Sequence, residues 1–120
     1  MDAKTSGFAS PAQGYEDQTI DLNALLIHNP SASYFWRLDS SEMCALGLPR
    51  GSLLIVDRSK KPAFNNYVLL RHEDQFYCRL MTKHGGKAVF TNGTTELIPT
   101  DETEILGVIT ASIKIYDFPH

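Results

Sequence analysis

The sequence predicts a mainly β domain with one short helix near its N-terminus. Short apolar or aromatic runs recur across residues 33–116. Turn-forming clusters separate them, among them His84-Gly85-Gly86 and Asn92-Gly93. A helical apolar period is confined to one stretch, residues 20–28. Many short strands joined by turns give a sandwich or a partly closed barrel.

Residues 1–18 are polar, rich in small residues and without an apolar period, and read as a flexible N-terminal arm. Residues 19–120 form one domain, long enough for a single modest core. The helix comes first: Asp21 is its N-cap, Leu22, Leu25 and Leu26 share a face, and Asn29-Pro30 ends it. An aromatic strand follows over residues 33–38. Residues 39–46 hold a turn or short helix capped by Asp39 or Ser40, and Ser41 is a further capping residue. The continuous apolar run over 53–56 is a strand buried on both faces. Strands over 67–70 and 76–81 flank a loop at His72-Glu73-Asp74-Gln75. Strands over 87–91, 96–98 and 105–116 complete the set.

Composition excludes several function classes. The net charge of −3 opposes a broad electrostatic grip on nucleic acid, which needs clustered Lys and Arg. The one dense basic run, Arg58-Ser59-Lys60-Lys61, reads as a solvated loop, with contact to phosphates as the alternative. No direct sequence-specific DNA binding is expected. No apolar run approaches the roughly 18 residues of a membrane span, and Met1 to Gly7 lack the apolar core of a signal peptide. The expected setting is the cytoplasm. Cys44 and Cys78 fit no zinc spacing and read as two buried thiols. His28, His72, His84 and His120 sit at predicted ends or turns, and none pairs at metal-ligand spacing. No metal or cofactor is implied.

A set of sequence blocks carries more information than the composition. They are Gly7-Phe8-Ala9-Ser10-Pro11-Ala12, Ile20-Asp21-Leu22-Asn23, Leu25-Leu26-Ile27 and Pro30-Ser31-Ala32-Ser33-Tyr34-Phe35. Leu53-Leu54-Ile55-Val56-Asp57, Leu97-Ile98-Pro99 and Gly107-Val108-Ile109 follow. In these blocks the chain resembles the UmuD/LexA family of S24 peptidases, from Gly7 onward. The resemblance implies a LexA- and signal-peptidase-like β fold, a homodimer and an N-terminal arm. It also implies SOS-response chemistry. Contact with a RecA filament promotes cleavage of the arm just before a Gly, and the shortened product joins a UmuC-type error-prone translesion DNA polymerase.

Family members cleave with a Ser–Lys dyad. The Ser precedes Met in a Ser-Met pair, and the Lys lies on a later strand. Here the resemblance puts Glu42 before Met43 at the nucleophile position and Arg79 at the base position. A buried Lys can become neutral and take a proton, whereas Arg stays charged in proteins. A carboxylate is a weak nucleophile toward an amide. Opposite charges at both positions suggest an ion pair filling the old site, against the plain alternative of two unrelated solvated charges. The cleavage-site equivalent is Ser6-Gly7, so only six residues precede the start of the processed form.

The expected function is therefore a catalytically inactive, homodimeric accessory subunit of a UmuC-like polymerase. Three alternatives stand beside it. One is an active self-cleaving peptidase, with Ser41 as nucleophile after a one-residue shift; the nearest Lys, Lys83, lies four positions past the base position. The others are a repressor-type dimerisation domain and an inhibitory decoy that withholds a relative from the polymerase. Tyr34-Phe35-Trp36, the last strand and the helix are the candidate dimer surfaces.

Overall fold

The computed structural model describes residues 20–117. The expected arm over residues 1–18, with Ser6 and Gly7, and also His120, lie outside the described residues. The helix, α1, spans Leu22–Leu26, and the Asp21 carboxylate accepts from the Ala24 N–H at 3.2 Å as its N-cap. Pro30 opens a 3-10 turn over Pro30–Ala32, which delivers the chain into the first strand.

The described residues form one antiparallel sheet of seven strands: β1 (Ser33–Arg37), β2 (Leu53–Asp57), β3 (Tyr67–His72), β4 (Gln75–His84), β5 (Lys87–Thr91), β6 (Glu96–Leu97) and β7 (Thr103–Ile113). Their spatial order is β1-β2-β7-β3-β4-β5-β6, so the last strand is inserted in the middle. β7 pairs with β2 on one side and β3 on the other, and its register shifts by one residue on each side. Such bulges bend a strand and increase its twist. Gly107 lies between them, and a Cβ there would come within 2.5 Å of Val56 Cγ1. The absent side chain is what lets β7 approach β2 this closely.

Bent in this way, the sheet wraps its own core. Leu54 and Val56 of β2, Leu69 of β3 and Cys78 of β4 meet Leu38 and Met43 from the β1–β2 connection. Tyr34 and Trp36 of β1 pack on the same cluster, although three strands separate β1 from β4 in the sheet. A second cluster of Val68, Leu70, Phe90 and Val108 lies against Tyr77, Met81, Leu97 and Ile105. Alternation along β3 feeds both clusters, with Leu69 in the first and Val68 and Leu70 in the second. Of the run over 53–56, Leu54, Ile55 and Val56 are buried as expected, whereas Leu53 at the strand's start is half-buried.

Several local expectations change. The β3–β4 hairpin is longer than its composition suggests: its turn is only Glu73-Asp74, both in the left-handed region at φ 51° and 65°. Asn92-Gly93 does not make a two-residue turn between β5 and β6. A four-residue loop winds round buried Asn92, whose Oδ1 accepts from the backbone N–H groups of Thr94 and Thr95 at 3.0 and 2.9 Å. The 39–46 segment contains a 3-10 turn at Cys44–Leu46 with Met43 at its N-cap and no side-chain cap. Ser40 instead accepts from the Glu42 N–H at 3.0 Å, and Ser41 supplies its backbone carbonyl to the Cys44 N–H. Cys44 is exposed, contrary to the expectation of two buried thiols, because its short turn lies on the surface; Cys78, inside β4, is buried.

Candidate functional site

Glu42 and Arg79 meet. Arg79 stands on β4, and Glu42 lies in the β1–β2 connection, placed by the Ser40 turn and anchored by Met43, which is fully buried in the core. Arg79 Nη2 donates to Glu42 Oε1 at 2.6 Å, and Nη1 donates to the Cys78 carbonyl at 2.8 Å. The guanidinium also lies 4.9 Å over the Tyr77 ring, a cation–π arrangement. The two ends of the pair differ sharply: the Arg79 side chain is 7% exposed and that of Glu42 is 55% exposed. A buried cation is thus held by a carboxylate that stands mostly in water.

The pair borders a cavity of about 160 Å³. Its walls come from Trp36 and Arg37 of β1, from residues 38–40 with Glu42 and Met43, from Leu69, and from Phe76 to Arg79 of β4. Trp36 and Phe76 contact each other across it, with ring centroids 5.2 Å apart. The cavity occupies the gap where the curled sheet brings β1 towards β4. Ser41 is not among the lining residues. Lys83 lies elsewhere, its ammonium 4.9 Å over the Phe64 ring.

The Cys78 thiol beside the pair is not a ready nucleophile. Burial pushes the Cys78 thiol up to about 12, an effect that the nearby Arg79 only partly opposes. Cys78 therefore stays protonated at neutral pH and acts as a core residue. The described histidines have local partners: His72 Nδ1 lies 2.7 Å from Thr103 Oγ1, His84 Nδ1 2.9 Å from Glu96 Oε1, and His28 Nε2 3.0 Å from the Leu25 carbonyl. Arg58 lies over the Tyr34 ring at 5.8 Å.

One buried acid escapes a reading of the sequence. Asp57 ends β2 and is 2% exposed. Its Oδ2 accepts from Asn29 Nδ2 at 2.8 Å; its Oδ1 accepts from the Ser59 N–H at 2.8 Å and the Ser59 hydroxyl at 2.6 Å. These bonds, led by Asn29, draw the carboxyl down to about 2. The network ties the segment after α1 to the end of β2. Its sequence signal is the Asp-x-Ser turn at 57–59. The aromatic wall was also unassigned; its signal is Phe76-Tyr77 immediately before Cys78-Arg79.

No helix among the described residues is long and apolar enough to cross a membrane. The chain is similar to Protein SamA of Salmonella typhimurium, at 34% identity over 109 residues, which cover 90% of this chain and 78% of SamA. It is 38% identical over 71 residues to Protein ImpA of Escherichia coli, covering 59% of this chain and 49% of ImpA. Protein MucA of Escherichia coli is 38% identical over 72 residues, covering 60% of this chain and 49% of MucA. These relatives are UmuD-like proteins, and the matched segments span about half of ImpA and MucA. Residues 1–110 match the family described as Peptidase S24-like, and on that match and the SamA relationship this chain belongs to the Peptidase S24-like family and is UmuD-like within it.

Proposed function

We propose that this chain is a non-cleaving UmuD-like subunit that works by assembly. It forms a homodimer, and the dimer docks on a UmuC-type polymerase to support translesion synthesis during SOS mutagenesis. The observation that carries the reading is the Arg79–Glu42 contact at 2.6 Å. By the family resemblance these two positions correspond to the base and the nucleophile. A guanidinium that keeps its charge cannot accept a proton, and here its carboxylate partner occupies the site. The similarity to SamA, ImpA and MucA supports the SOS setting. Exposed Leu22, Leu25 and Phe35 supply apolar surface for assembly.

The test has two arms. Purified protein is incubated with activated RecA filament, and separately at alkaline pH. The chain is expected to remain at full mass. A trimmed product that disappears in Ser41→Ala or Glu42→Ala would overturn the reading. Co-purification with a UmuC-like polymerase, and mutation frequency with and without the gene, then separate a helper from a decoy. A helper raises the frequency and a decoy lowers it.

A further inference from the structure

We propose that the cavity beside Arg79 is a receptor for a carboxylate carried on a peptide, and that Glu42 is a built-in occupant which such a ligand displaces. The inference rests on the non-cleaving reading above and adds a ligand class to the same cleft. A guanidinium carries five N–H donors. Among the described residues Arg79 commits one to Glu42 and one to the Cys78 carbonyl. A cation this deeply buried, with donors to spare beside an open cavity, favours a second acceptor.

Glu42 is suited to leave. It reaches Arg79 through one oxygen, whereas a free carboxylate can take the guanidinium fork with two. Its side chain is 55% exposed, so on release its charge passes into water at small expense. Arg79 has no such freedom, being fixed by the Cys78 carbonyl and the Tyr77 ring. The cavity therefore holds a rigid cation and a displaceable anion.

The rest of the wall indicates what accompanies the carboxylate. Trp36, Phe76 and Tyr77 give an aromatic lining that suits an apolar neighbouring side chain. Phe76 is more than half exposed while touching Trp36, so it can cover a ligand at the mouth of the cavity. β1, which contributes Trp36, is an edge strand, and such strands can pair with an extended chain. The ligand is thus an acidic peptide segment with an apolar flank, its carboxylate coming from an Asp or Glu side chain or from a chain terminus.

Trp36 is the sole tryptophan, so its fluorescence reports occupancy of the cavity directly. Three synthetic peptides share a Leu-rich extended sequence. One has an internal Glu and an amidated end, one has Gln there and an amidated end, and one has Gln and a free terminal carboxylate. At least one carboxylate peptide should give a saturable Trp36 change, and the uncharged peptide should bind about tenfold more weakly or not at all. The carboxylate peptide that binds identifies the source. Glu42→Gln, which removes the competing charge, should tighten that peptide, and Arg79→Gln should abolish its advantage. If Glu42→Gln stays folded by circular dichroism while the three peptides bind alike, or none saturates, the inference is wrong. Mass spectrometry of the peptides separates the two readings. A cut peptide sinks the non-cleaving reading, whereas intact peptides with charge-blind binding sink only this inference.

Discussion

Arg79 is almost wholly buried, Glu42 is mostly in water, and one 2.6 Å contact joins them. The asymmetry predicts unequal mutants. Removing one partner of a fully buried pair costs about 3–5 kcal/mol. Solvent around Glu42 screens this one, so Glu42→Gln should destabilise by roughly 1–2 kcal/mol. Arg79→Met removes the buried charge and leaves a carboxylate that water can solvate. It should fall within about 1 kcal/mol of the parent. Urea unfolding of both variants measures the difference, and equal losses would contradict the asymmetry.

The two cysteines should separate by reactivity. Cys44 is exposed and should react with a thiol reagent in the native protein, while buried Cys78 should react only on unfolding. The pH dependence has a definite sign. The folded Cys78 thiol titrates near 12 and the unfolded one near 9.0, so between those values the unfolded chain binds fewer protons. Cys78 therefore makes stability fall as pH rises through that window, by up to about 1.4 kcal/mol per pH unit. Cys78→Ala should flatten the alkaline slope relative to the parent in thermal melts.

Gly107 offers a test of the bend. An added Cβ meets Val56 Cγ1 at 2.5 Å and the Asp57 carbonyl oxygen at 3.1 Å. Gly107→Ala should destabilise by about 1–3 kcal/mol, as overpacking of a core does. Val56→Ala removes the nearer obstacle and opens a void of its own. Because the two residues touch, the double variant should be more stable than the sum of the single losses implies. Strict additivity in denaturant melts would mean that the close approach has no energetic consequence.

What could be read in advance follows the range of the interaction. Local patterns set the strand segments, the Asp21 cap and the buried run at 54–56. The Glu42–Arg79 contact spans 37 residues yet was legible, because the family resemblance places oppositely charged residues at the two positions where a catalytic couple is expected. The sheet order was not legible. Inserting β7 between β2 and β3 depends on Gly107 and two bulges, whose sense appears only when both neighbours are in place. The Glu73-Asp74 turn was hidden for a different reason. Its left-handed residues are not glycines, and the strong pairing of β3 with β4 overrides their local preference.

The Asn29–Asp57 bond carries the last prediction. α1 has no buried residue, so packing against the sheet does little to hold its segment. Asn29, three residues beyond the helix, donates to a carboxylate fixed at the end of β2. That bond is the leading reason the Asp57 carboxyl is drawn down to about 2 from its ordinary 3.8. A group lowered in the folded state stabilises fully above the unfolded value, and its contribution disappears as pH falls through the folded value. Asp57 should therefore support the fold across the neutral range and release the α1 segment only in strong acid. Asn29→Ala removes the leading bond but keeps those from Ser59. The Asp57 carboxyl should then titrate at higher pH by carbon-detected NMR, and the acid transition should move up with it. At neutral pH, amide exchange should quicken at Ala24, Leu25 and Ile27, whose N–H groups bond within this segment, and not in β3. Unchanged exchange there, with Asp57 titrating as before, would show that the Asp57 carboxylate does not hold the segment down.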